Sequence, residues 1–175
     1  MAQPTRPFIG INTDFIAATK HGPAQARLHA GYIDAIVTAG GFPILVPPLC
    51  KDVDIDPLLD RLEGFVLCGG LDMDPKRQGQ TSHAAIQPLP ERREDSDRLL
   101  VRRLVTRQMP LLAIGVGMQQ LNAAHGGSLY LHLPEDLPRA MPHRDSSGGP
   151  HRHVRSSVAR RGFVRRRALL LCAQP

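Results

Sequence analysis

The chain has no tryptophan, two tyrosines and five phenylalanines in 175 residues. Aromatic platforms that stack the bases of single-stranded nucleic acid therefore have little to be built from. Its three cysteines, Cys50, Cys68 and Cys172, are odd in number and irregularly spaced. That excludes a disulfide framework and a CxxC metal knuckle and points to a reducing compartment. No window approaches 18 apolar residues, and the apolar run after Pro7 is too short for a signal h-region. A cytoplasmic protein with no membrane partner is the expectation. Acid is missing from one region only: the last 25 residues hold seven arginines and no Asp or Glu, whereas residues 1–150 hold 15 basic and 16 acidic side chains. The net charge of +6 is thus a property of the tail.

What remains is the composition of one globular domain, 42% hydrophobic and 22% charged. Short apolar runs alternate with segments of helical period, the signature of βαβ units and a mostly parallel sheet. Strands are predicted at Phe8–Asn12, Pro43–Val46, Phe65–Cys68 and Leu111–Ile114. Helices are predicted at Ala24–Ala39, Asp56–Leu62, Glu91–Arg107 and Met118–His125. The strands are apolar without alternation, as strands covered on both faces should be. Leu71–Pro90 reads as a long surface loop, and Pro134–Pro150, rich in proline, glycine and serine, as another. From Arg155 onward the βα rhythm stops.

The most informative feature is a strand that runs into Gly115-Val116-Gly117 and turns at once into a helix. Such a turn presents backbone N–H groups at the C-terminal edge of a parallel sheet. A dinucleotide fingerprint would need a further glycine where Gln120 stands. A nucleophile elbow would need Ser or Cys at the apex, where Gly115 stands. Cys68, just before Gly69-Gly70, could be a displaced nucleophile, but reads better as a buried strand residue. His132, His143, His151 and His153 fall close together with Asp145, yet a Pro/Gly-rich loop holds ligands poorly, and no metal site is expected. Asp72 and Asp74 before Pro75 read as turn residues bonding nearby backbone, with Asp72 a pocket wall. Glu91–Arg93 and the charges after them read as a solvated helix face.

These pieces, in their order, resemble the class I glutamine amidotransferase superfamily and, within it, the γ-glutamyl-γ-aminobutyrate hydrolases of peptidase family C26. The likeness is carried by Pro7-Phe8-Ile9-Gly10-Ile11, by Ala39-Gly40-Gly41-Phe42-Pro43, and by Leu62-Glu63-Gly64-Phe65-Val66-Leu67. It continues through Gly69-Gly70-Leu71-Asp72-Met73-Asp74-Pro75, Pro90-Glu91-Arg92-Arg93-Glu94-Asp95, the stretch from Pro110 to Asn122, Gly126-Gly127-Ser128-Leu129-Tyr130 and His143-Arg144. It covers roughly residues 6 to 154.

The resemblance implies a flavodoxin-like three-layer α/β sandwich with a mostly parallel sheet, here with C-terminal strands missing. It also implies cleavage of a γ-glutamyl amide by a Cys-His-Glu triad, without a cofactor. The family elbow reads Gly-Ile-Cys-Arg-Gly-Met-Gln, so the nucleophile falls on Gly115 and the arginine on Val116. The family's His and Glu lie in a later segment that this chain does not match. By the same resemblance, the backbone N–H groups of Gly70 and Val116 form the oxyanion hole, and Gly69, Asp72, Gln119 and His143 line the substrate. The expected partner is a small γ-glutamyl compound. Two further readings are a non-catalytic binding protein that keeps the pocket and a basic-tailed nucleic-acid binder, for which no recognition motif is present. The division expected is 1–154, an incomplete amidotransferase-like domain, and 155–175, an arginine-rich tail outside the native fold that a frameshift or truncation would explain. Unpaired sheet edges would then favour low solubility or a homodimer.

Overall fold

A computed structural model describes residues 6–137 and 168–171. Strand β1 (Phe8–Asn12) leads into an antiparallel ribbon of β2 (Asp14–Ile16) and β3 (Gln25–Arg27), then helix α1 (Ala30–Thr38) and strand β4 (Phe42–Val46). Helix α2 (Asp52–Leu59), strand β5 (Gly64–Leu67), a 3-10 turn (Pro75–Gln78) and the long helix α3 (Glu91–Thr106) follow. Strand β6 (Leu111–Ile114), helix α4 (Val116–Ala124), a single turn α5 (Leu133–Asp136) and strand β7 (Ala168–Leu171) complete the elements.

The main sheet has the order β4-β1-β5-β6-β7, and every pairing in it is parallel. Counting only its own strands along the chain, the order is 2-1-3-4-5, that of flavodoxin-like doubly wound folds. The mostly parallel α/β sandwich expected from the sequence is therefore present. Along β5, Phe65 and Leu67 turn to one face and Val66 to the other, followed there by Cys68. On the first face they meet Ile55 and Leu59 of α2, Leu100 and Leu104 of α3, and Met118 and Leu121 of α4. On the second, Ile11, Val66 and Cys68 pack with Ile36 of α1, joined by the partly buried Tyr32, Leu112 and Ile114. Covering on both faces is why these strands are apolar throughout.

Several boundaries depart from the sequence expectation. The helix predicted from Ala24 starts at Ala30, because residues 25–27 instead pair with β2, a ladder that helix-favouring Gln25 and Ala26 do not announce. The helix predicted at Asp56–Leu62 spans Asp52–Leu59, which buries Ile55 and Leu59 four residues apart. Segment 168–171, which shows no strand pattern in sequence, lies parallel to β6 with Leu111 opposite Ala168. The expected boundary at 154/155 lies outside the described residues, as do His143, Asp145, His151 and His153.

Candidate functional site

In a 2-1-3-4-5 sheet the connections reverse between the first and third strands, here β1 and β5, and ligands bind beyond the carboxyl ends of strands at that point. The residues at those ends are Asn12, Thr13 and Asp14 after β1, and Cys68, Gly69 and Gly70 after β5. The next strand, β6, ends at the elbow.

Gly115 has φ 55° and ψ −121°, backbone values that L side chains rarely adopt, and it caps α4, accepting the Gln119 N–H at 3.2 Å. Glycine takes this conformation without strain, so the sharp turn forms although no nucleophile sits on it. A Cβ built on Gly115 would lie 3.4 Å from the Gly69 Cα, an ordinary contact, so the apex faces the glycine pair. A Cβ on Gly117 would lie 2.6 Å from the Leu67 Cβ and 2.7 Å from its carbonyl oxygen, so α4 leaves the elbow in direct contact with β5. Gly70 completes the triangle: a Cβ there would be 3.4 Å from Val116 Cγ1 and 3.3 Å from Leu89 Cδ2. Val116, the first helical residue, has no intrahelical acceptor for its N–H. Gly69 donates its N–H to the Tyr32 hydroxyl at 3.1 Å.

The structure thus brings Gly69, Gly70, Gly115 and Val116 together. Gln119 lies one helical turn on from Gly115 and is 8% exposed. Asp72 is held in the loop wall: its carboxylate accepts the Gln87 N–H at 2.8 Å, and its backbone bonds Gln87 and Leu89. Asp74 accepts the Lys76 N–H at 3.0 Å and caps the 3-10 turn. Asp74 thus bonds backbone two residues on, as a turn motif should, whereas Asp72 reaches across the loop to Gln87, 15 residues away.

Beneath the glycines lies a polar network that the sequence reading missed. Glu91 and Arg92 are exposed, as a solvated face should be, but the adjoining face of α3 is buried: Arg93 and Asp97 are 0% exposed and Glu94 and Ser96 1%. Arg93 Nε donates to Asp97 Oδ2 at 2.6 Å, and its Nη2 donates to Cys68 Sγ at 3.3 Å. Asp97 also accepts from Asn12 Nδ2 at 2.7 Å and from Gln120 Nε2 at 3.0 Å. Asn12 Oδ1 in turn accepts the Cys68 N–H at 2.8 Å. Four elements, β1, the end of β5, α3 and α4, are tied together under the elbow. Burial works against the Arg93 charge, and Asp97 with Cys68 outweighs it, so the guanidinium stays protonated. A legible signal did exist: residues 93, 97, 100 and 104 share one helical stripe, so the apolar stripe of Leu100 and Leu104 extends upstream into Arg93 and Asp97.

Cys68 is 1% exposed, and its thiol donates to the Asn12 carbonyl at 3.1 Å. Burial pushes the thiol up from its ordinary value, and Arg93 offsets this only in part. A buried, neutral thiol is a poor nucleophile. A separate cleft of about 780 Å³, lined by Arg77, Asp95, Arg98 and Gln120 among others, includes none of Gly69, Gly70 or Gly115.

Comparison with known proteins gives the family. The Peptidase C26 family model matches residues 7–165. The chain belongs to the Peptidase C26 family. A Mycobacterium tuberculosis protein that carries a glutamine amidotransferase name is 36% identical over 149 residues, covering 82% of this chain and 47% of its own length. The γ-glutamyl-γ-aminobutyrate hydrolase PuuD of Escherichia coli K12 is 32% identical over 129 residues, 71% of this chain and 48% of that protein. The crystal structure of a glutamine amidotransferase from Thermotoga maritima superimposes with a TM-score of 0.45 at 14% identity, over 73% of this chain and 46% of that one. This Peptidase C26 chain spans about half the length of the curated relatives it matches. No helix among the described residues is long and apolar enough to cross a membrane.

Proposed function

We propose that this Peptidase C26 chain binds a small γ-glutamyl amide at the elbow and does not cleave it by the thiolate route. The observation that carries this reading is Gly115 itself. The apex has elbow backbone geometry and faces Gly69, but it offers no atom that could form an acyl-enzyme. Losing one triad member commonly costs several orders of magnitude in rate. Cys68, locked beneath the turn, does not substitute.

In this reading the N–H groups of Gly70 and Val116 hold the substrate carbonyl. Gly69, Gln119 and His143 contact the glutamyl group, and Asp72 fixes the loop wall beside it. The site needs no cofactor and works in the cytoplasm. Exposed Phe8, Phe42 and Leu45, on β1 and the edge strand β4, support pairing of two copies.

The test combines two measurements on the whole chain. Titration with γ-glutamyl-γ-aminobutyrate is expected to show saturable binding that Gly70→Val, which fills the space against Val116 and Leu89, abolishes. A coupled glutamate-release assay is expected to show no turnover. Absence of binding would remove the binding reading, and turnover would show a route that needs no thiol at the apex.

A further inference from the structure

Two imidazoles and a carboxylate that the proposed function does not use meet in one place. His83 lies in the loop between the 3-10 turn and α3, His132 caps α5, and Glu135 belongs to α5. The two rings are stacked, with centroids 4.5 Å apart and an interplanar angle of 14°. Glu135 reaches both, Oε2 standing 3.3 Å from His83 Nε2 and Oε1 3.1 Å from His132 Nδ1. One ligand-type atom from each residue lies within 4.8 Å of the others. His132 Nδ1 is sealed from solvent and has no hydrogen-bond partner of good geometry. Asp136 accepts the N–H groups of Leu131 and His132 at 2.9 and 3.0 Å, which pins the turn that presents His132.

We propose that His83, His132 and Glu135 form a binding site for a zinc-like divalent cation that clips the loop before α3 to α5. Zinc takes imidazole nitrogen and carboxylate oxygen at about 2.0–2.2 Å in tetrahedral array, which places neighbouring ligand atoms about 3.3 Å apart. Each ring nitrogen already stands at about that distance from Glu135, although from different carboxylate oxygens, so binding requires one oxygen to turn toward both nitrogens and the stacked rings to tilt toward a common point. Two nitrogens and one oxygen, with water in the fourth position, suit zinc over the hard cations, which prefer all-oxygen sets. The lone pair of His132 Nδ1 gains a partner on binding. At His83 the Ala85 N–H now donates to Nδ1 at 3.0 Å. Coordination through Nε2 places the ring proton on Nδ1 instead and releases that amide, so Ala85 reports occupancy.

Calorimetric titration of the metal-free full chain with Zn2+ alone is expected to show one equivalent of tight binding. His132→Ala and Glu135→Gln are each expected to weaken it by more than the roughly 10–100-fold that loss of a mere supporting partner costs. A His21→Ala/His29→Ala variant should keep it. Because a variant could misfold, the wild-type chain labelled with nitrogen-15 gives a second reading: Zn2+ should shift the Ala85 amide and the His83 and His132 ring resonances. No binding below about 100 µM Zn2+, unchanged affinity in His132→Ala, or shifts confined to other histidines would each overturn the proposal.

Discussion

Arg93 and Asp97, one turn apart on α3, form a 2.6 Å ion pair with both side chains sealed from solvent. Removing one member leaves the other charge buried and unpaired. Asp97→Leu or Arg93→Met alone is therefore expected to cost about 3–5 kcal/mol of stability. The double variant Arg93→Met/Asp97→Leu should recover much of that loss. Urea denaturation of the four proteins in a double-mutant cycle measures the coupling; additive single effects would mean that the pair is not formed.

Two helical glycines, one at the elbow and one in α1, should respond in opposite ways to the same substitution. Gly117→Ala drives a methyl to 2.6 Å from Leu67 Cβ and should destabilise by about 1–3 kcal/mol. Gly31→Ala, in α1 with open space around it, should stabilise by about 0.4–1 kcal/mol by restricting the unfolded chain. Thermal unfolding of both variants reads the contrast.

Gly115→Cys restores the atom that the apex lacks. The new Cβ fits beside Gly69, but φ 55° strains any side-chain-bearing residue, so the variant should fold with a loss of about 1–3 kcal/mol. In the proposed reading, the general base and its orienter are not supplied by this chain. Glutamate release should stay at background, and measurable hydrolysis by the single variant would refute that reading.

The described thiols should differ sharply in reactivity. Cys50 is exposed, whereas Cys68 is buried and hydrogen-bonded to Arg93 and Asn12. Iodoacetamide labelling with peptide mapping is expected to modify Cys50 in the native chain and Cys68 only after denaturation. Rapid native labelling of Cys68 would mean that the network under the elbow opens.

Stability should fall on the alkaline side. Burial raises both the Cys68 thiol and the Tyr32 phenol in the folded chain. The folded state therefore holds these protons more tightly than the unfolded state does. Their contribution is complete below the unfolded values, about 8.5 for Cys and about 10 for Tyr, and is lost as pH rises through the folded ones. Urea midpoints from pH 7 upward should decline above about pH 8.5, and Cys68→Ala and Tyr32→Phe should flatten the decline. A midpoint that rises with pH would contradict the burial of these groups.

The sequence by itself determined the α/β class, because apolar runs of strand length alternate with helical periods and both faces of the sheet are covered. It determined the elbow as well, because Gly115-Val116-Gly117 at a strand end permits few other backbones. Only the tertiary structure decided what lies beneath that elbow. Glu91–Asp97 reads locally as charge on a helix face, and burial of Arg93 and Asp97 depends on Asn12 and Gln120 arriving from 85 and 23 residues away. Likewise His83 and His132 are 49 positions apart in sequence, and folding alone stacks them. Periodicity records what each element buries along its own length, whereas partners for buried charges come from other elements, and no local pattern encodes them.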